Sequence, residues 1–113
     1  MTTVRSRRPR VEVGSGNVFA DLGLPRAEER QTKVRLAVAI QRSIADLGLT
    51  QVEVAQRLGT SQPKVSALLG VRLDGFSVER LMNFLAALGN DVEILVRKRR
   101  PNRGPGRIHV AGI

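Results

Sequence analysis

The sequence predicts a mainly α domain, a bundle built around two short helices joined by a glycine turn and closed by a short C-terminal β-strand or hairpin. Three observations carry that prediction. Apolar residues recur at intervals of three and four across most of residues 25–88, which is the helical period. A hydroxyl residue or proline opens each run, and glycine stands at or just past its end. Over residues 91–96 the period changes to two, with Val92, Ile94 and Val96 on one side and Glu93 and Leu95 on the other.

The first run, PRAEERQTKVRLAVAIQRSIADLG, has Pro25, Glu28 and Glu29 at its start, where they suit a helix N-terminus, and Gly48 at its end. Its expected buried stripe is Leu36, Ile40, Ile44 and Leu47, widened by Ala37 and Val38. Thr50 can cap the next helix by accepting a hydrogen bond from the amide of Val52 or Glu53. Val54 and Leu58 share a face, Ala55 is small enough to let a second helix cross closely, and Gly59 can take the left-handed conformation that stops the helix. Ser61 caps the chain again, and Pro63 falls in a first turn where its missing amide has no helical partner, so a new helix begins at Gln62 or Pro63.

The inward face of that helix is Val65, Leu68 and Leu69; Pro63, Ser66 and Ala67 point outward, with Gln62 and Lys64 on the flanks. A last helix follows Ser77, turns Val78, Leu81, Met82, Leu85 and Leu88 inward, places Phe84 in the core or at a dimer contact, and ends at Gly89 or Asn90. The strand over residues 91–96 needs an edge to pair with. Either the RIHV segment, residues 107–110, folds back through a GPG turn, or a second subunit supplies its own strand; pairing across a dimer is the favoured arrangement.

Residues 50–70, TQVEVAQRLGTSQPKVSALLG, thus read as a helix-turn-helix, in which the second helix enters a major groove and its N-terminal side chains reach base edges. Gln62 can bond adenine bidentately, and such a contact discriminates by about 1–3 kcal/mol. Lys64 suits a guanine edge or a phosphate; Ser66 serves either; Pro63 and Ala67 can pack on a thymine methyl. Ser61 and Gln51 stand at helix starts, where Gln51 can clamp a phosphate and position the protein without reading sequence. The competing reading is an ordinary helical hairpin with Gln62 and Lys64 merely solvated.

This segment resembles the XRE family of Cro- and lambda-repressor-like regulators at Gln51, Val54, Ala55, Leu58, Gly59, Gln62, Val65 and Leu68. More narrowly, the lead-in GNVFADLGLPRAEE, the helix SQPKVSALL and the stretch FSVERLMNFLAALGNDVEILV resemble HigA-type antitoxins, over residues 16–96. The resemblance implies a lambda-repressor-like bundle, autorepression of an operon at a palindromic double-stranded operator, and a small basic RelE/HigB-like toxin as partner. The acidic residue and glycine common after the recognition helix are replaced by GVRLDG from Gly70, with Arg72 as the local candidate for a phosphate contact. Within the lead-in, Val18, Phe19, Leu22 and Leu24 either staple the chain onto the long helix or contribute a toxin-binding surface. Val92 and Ile94 are the corresponding candidates for a toxin or dimer contact.

The formal charge of +9 is not spread evenly. Residues 1–12 carry +3, residues 97–113 carry +6, and the remaining centre holds nine bases against nine acids. The expected organisation is therefore a basic arm (residues 1–15), the helix-turn-helix domain with lead-in and terminal strand (16–96) and a basic tail (97–113). Arg97, Lys98, Arg99 and Arg100 are candidate phosphate contacts that would make binding strongly salt-dependent. The plainer reading of both ends is that they only solubilise the chain. A minor-groove insertion and an RNA partner are further readings of the same charge.

With no cysteine, disulfides and thiolate metal sites are excluded, and no apolar run is long enough for a membrane span or a signal peptide; a cytoplasmic protein is expected. No catalytic constellation is visible. His109, the single histidine, sits in the basic tail without companion ligands, and GSG at Gly14 lacks the third glycine and preceding strand of a dinucleotide loop. Neither metal nor cofactor is expected. The leading function is a DNA-binding antitoxin and autorepressor acting as a homodimer; the alternatives are a stand-alone repressor of the same fold, and an RNA-associated or scaffolding protein acting through its basic ends.

Overall fold

Four helices pack in the computed structural model, which describes residues 26–112. They are α1 (Arg26–Leu47), α2 (Gln51–Leu58), α3 (Gln62–Leu69) and α4 (Val78–Ala87). Helix α1 runs the length of the bundle and packs most extensively on α4, while α2 packs mainly on α3. The lead-in and the basic arm lie outside the described residues.

One contiguous core joins the four helices. Leu36, Ala37, Ile40 and Ile44 of α1 meet Val54 and Ala55 of α2, Val65 and Leu68 of α3, and Leu81, Phe84, Leu85 and Leu88 at α4. Ile40, Val54, Val65 and Leu81 are completely buried. A truncation such as Ile40→Ala removes transfer energy and leaves a cavity, at a cost of about 2–5 kcal/mol. The stripe expected on α1 stops one turn early, with Leu47 45% exposed where the chain leaves the bundle at Gly48, and Val38 is only half-buried. Phe84 is core, packed edge-on against Phe76 with ring centroids 6.0 Å apart.

Local chemistry sets each helix end. Thr50 and Glu53 form a reciprocal capping box, the Glu53 amide donating to Thr50 Oγ1 at 3.2 Å and the Thr50 amide donating to Glu53 Oε1 at 2.8 Å. Ser61 and Ser77 cap α3 and α4 by accepting the amides of Lys64 and Arg80. These caps determine where each helix starts, and hence which residues occupy its first turn.

The expected C-terminal strand is not formed: residues 91–96 carry no ladder, and no β-strand occurs among the described residues. The physical reason is that the intrachain partner is occupied elsewhere. The amide of Ile108 donates to Glu28 Oε1 of α1 at 2.7 Å, and Val110 packs on the core. The RIHV segment therefore lies against α1, which rules out the folded-back hairpin and leaves Ile94, Leu95 and Val96 77, 77 and 88% exposed.

Candidate nucleic-acid interface

The helix-turn-helix unit is held by its turn and by its far end. Gly59 adopts φ 67° and ψ 34°, so that its own amide donates to Gln56 O at 3.3 Å and the amide of Thr60 donates to Ala55 O at 2.9 Å. This left-handed residue reverses the chain within three positions and lets Ser61 restart a helix at Gln62. At the other end of α3, Gln41 of α1 donates from Nε2 to Leu69 O at 3.0 Å, satisfying a carbonyl that no helical amide reaches. The recognition helix is thereby tied to the long helix by a side chain that sequence reasoning passed over; its partner is a backbone atom 28 residues away, which no local pattern reveals.

Along α3, Gln62, Pro63 and Lys64 are exposed at the N-terminus, as the sequence indicates, and Gln51 is exposed at the start of α2. Ser66 and Ala67 are half-buried, and Ala67 packs partly on the core. The outward face is therefore narrower than its sequence suggests, and concentrated in the first turn. Ser61 spends its acceptor on the Lys64 amide, which leaves its hydroxyl proton free to donate outward.

Lys64 does not stand straight out from the helix. Its ammonium lies 5.3 Å from the centroid of Phe76, a cation–π arrangement that directs it toward the loop following α3 rather than along the helix axis. Phe76 was missed as a positioning residue, although an apolar residue just before a capping serine is a legible hydrophobic-staple signal. Arg72, also exposed, folds back over Gly70: a Cβ built on that glycine would meet Arg72 Nη1 at 2.7 Å. Lys64 and Arg72 thus both bring positive charge to the loop that follows α3.

Between them the backbone is strained. The amides of Val71 and Arg72 donate to Leu68 O and Ala67 O, closing α3 with the same pair of bonds that Gly59 makes for α2, but the residue in the left-handed region is Val71, with φ 58°. For a β-branched residue this is a genuine outlier, of a kind that concentrates where geometry serves function. Gly70, one position earlier, has an ordinary helical-side φ of −86°. The altered GVRLDG loop therefore still closes the helix, at a steric cost, and presents Arg72.

Glu53 is the one described group whose acidity is clearly displaced. Hydrogen bonds with the Thr50 amide and hydroxyl hold its carboxyl below the usual value against an opposing desolvation, and the Arg57 charge acts in the same direction to a lesser extent. It stays ionised at the N-terminus of α2, beside Gln51.

A second concentration of charge lies in the C-terminal segment. Arg99, Arg100, Arg103 and Arg107 line an open cleft, and Arg99 Nε donates to Arg103 O at 3.1 Å. Arg97, Lys98, Arg99 and Arg100 are all exposed, and Arg103 and Arg107 join the basic surface they form. Val92 and Ile94 are exposed on the preceding stretch, whereas Val18, Phe19 and Leu22 lie outside the described residues.

Two capped helices crossing at a left-handed glycine, with a short polar turn offered at the start of the second, define a helix-turn-helix protein. The model of the helix-turn-helix domain family matches residues 18–97. A solved structure named as an XRE family transcriptional regulator superposes with a TM-score of 0.73 at 54% identity, over 79% of this chain and 100% of that one. Among curated proteins no relative matches the chain. The chain belongs to the XRE-type helix-turn-helix transcriptional regulators.

Proposed function

We propose that the protein is a dimeric, sequence-specific reader of double-stranded DNA that represses transcription at a palindromic operator. The observation that carries the proposal is the exposed first turn of α3, Gln62, Pro63 and Lys64, held by the Gly59 turn beside the capped start of α2 at Thr50 and Gln51. In this reading Gln62 takes a base edge. Pro63, Ser66 and Ala67 form the small surface that lets α3 approach the groove floor. Lys64, leaning toward the loop, takes a phosphate together with Arg72, and Ser61 and Gln51 take phosphates on the other side. Arg97, Lys98, Arg99 and Arg100, joined by Arg103 and Arg107, add phosphate contacts beyond the footprint of α3.

The antitoxin role belongs to the same proposal. Its support is the likeness of the lead-in, recognition helix and C-terminal stretch to HigA-type proteins, and the partner it names is a small basic toxin of the RelE/HigB type. Lead-in residues Val18, Phe19 and Leu22 are assigned to that contact. The experiment is a mobility-shift titration against the DNA upstream of the protein's own reading frame, followed by co-purification with the products of adjacent genes. Specific retardation without a bound protein leaves a stand-alone repressor; failure to prefer any duplex sequence overturns the DNA reading.

A further inference from the structure

The segment after α4 gathers positive charge in one place. Arg99, Arg100, Arg103 and Arg107 line a single open cleft of about 360 Å³, at the lower end of the volumes that small-molecule sites occupy. No acid follows Glu93 in the sequence, and among the described residues none of the four has a carboxylate partner, the ion pair formed there being Lys33 with Glu29. Four like charges brought around one space repel each other, so the arrangement is most favourable with an anion between them.

The cleft is fastened to the bundle on both sides. Before it, Asn90 donates from Nδ2 to Ser43 Oγ of α1 at 2.8 Å. Beyond it, the amide of Ile108 donates to Glu28 Oε1 at 2.7 Å, and Val110 packs on the core. Between these anchors Asn102 and Gly104, at φ 71° and 73°, turn the chain, and Arg99 Nε closes across the turn on Arg103 O at 3.1 Å. That bond uses one donor of Arg99 and leaves its two terminal nitrogens to bind elsewhere. A segment anchored in this way gives up less freedom when a ligand arrives.

We propose that this cleft is a binding site for a linear oligophosphate anion, held through its phosphate chain. Guanidinium forks match phosphate oxygens bidentately, so four that converge suit a ligand offering several phosphates in a short length. A lone phosphate engages only some of them. A duplex spaces its phosphates along each strand, about 3.4 Å apart on the helix axis, and meets such a cleft from one side. The lining holds no aromatic side chain: Phe76 and Phe84 are buried in the core, and the chain has neither Trp nor Tyr, so a nucleobase finds no stacking platform among these arginines. Recognition therefore stops at the phosphates, whether the chain is inorganic or the end of a nucleotide. This inference rests on the phosphate-binding role given to these arginines above, and adds a free ligand that competes with DNA for them.

Calorimetry on the full chain without DNA, at fixed ionic strength, tests it with inorganic tripolyphosphate, orthophosphate and nucleoside triphosphates. Tripolyphosphate should bind saturably and at least about tenfold tighter than orthophosphate, and ATP, GTP and CTP should agree within about twofold. Tighter binding of tripolyphosphate than of ATP marks the inorganic chain as the ligand, and the reverse order marks a nucleotide. Arg103→Ala with Arg107→Ala should weaken tripolyphosphate at least about tenfold, whereas Lys98→Ala, which removes an exposed charge outside the lining, should change it by less than about twofold. Glu28→Ala separates a built site from bare charge. Removing a carboxylate beside a basic segment strengthens anion binding by attraction alone, but losing the Ile108 anchor should weaken it by roughly threefold, with the helical melt retained. Absence of saturable binding, equal losses in Lys98→Ala and the arginine pair, tighter binding by Glu28→Ala, or a preference among the nucleobases would each overturn the proposal. Gln62→Ala should leave all of these affinities unchanged, and a chain that binds tripolyphosphate in this way but prefers no duplex sequence would sink the DNA reading alone.

Discussion

Replacing Gly59 by alanine asks whether the turn of the helix-turn-helix is held by backbone conformation alone. Gly59 sits at φ 67°, and a Cβ placed on it would meet nothing within 4 Å, so no clash contributes. The cost is that of placing an L-residue in the left-handed region, about 1–2 kcal/mol, less the roughly 0.4–1 kcal/mol by which alanine restricts the unfolded chain. A net loss near 1 kcal/mol should lower the melting temperature by about 4–8 °C for a domain of this size. Gly70→Ala is the matched control. Its φ of −86° is unstrained, so stability should hold, but the new methyl would displace the Arg72 guanidinium that lies 2.7 Å away. Circular dichroism melts, paired with anisotropy titrations on a duplex well below the melting temperature, separate the two effects. Gly59→Ala should lose stability and keep affinity, and Gly70→Ala should keep stability and lose affinity. An unchanged melting temperature for Gly59→Ala, or a folded Gly59→Ala protein that no longer binds, would refute the reasoning.

The remaining predictions concern the caps, the anchor and the basic surface. Because the Glu53 carboxyl is held below its usual value of 4.5 in the folded chain, its contribution is complete above that pH and is lost as pH falls through the folded value; Glu53→Gln should flatten the acid side of a melting-temperature profile, and parallel profiles would contradict it. Gln41→Leu leaves the Leu69 carbonyl without its 3.0 Å donor and should cost about 1–3 kcal/mol in urea unfolding, with faster amide exchange at the end of α3. Replacing Arg100, Arg103 and Arg107 together by alanine should weaken binding to all duplex sequences alike and reduce the slope of affinity against salt by up to about 3, one for each phosphate contact removed. A change in sequence preference instead would place those arginines at base edges.

The helices were legible because their signals are local. Thr50, Ser61 and Ser77 cap, Gly59 stops, and the apolar spacing of Val54, Val65, Leu68, Leu81 and Leu85 fixes which faces turn inward; all of these lie within one or two turns of what they control. The site was less so. Lys64 leans on Phe76, Gln41 bonds Leu69 O, and Glu28 captures the Ile108 amide across 80 residues, contacts that arise only when distant segments meet. That last contact also explains why the alternating stretch 91–96 forms no strand in the single chain: its period reports a preference for pairing, and pairing needs an edge that the chain has used elsewhere. Val71 in the left-handed region runs against its own side chain, and no propensity argument would have placed it there.

The central claim, that the first turn of α3 reads sequence, is tested most directly by selecting duplexes from a random pool with the wild-type chain and with Gln62→Ala, at one fixed salt concentration. The account predicts that the wild type enriches a palindromic site. Gln62→Ala should then lose preference at one symmetry-related pair of positions, by about 1–3 kcal/mol of discrimination, with the rest of the site and the salt slope retained. An identical site for both proteins, or no enriched site for either, would contradict it.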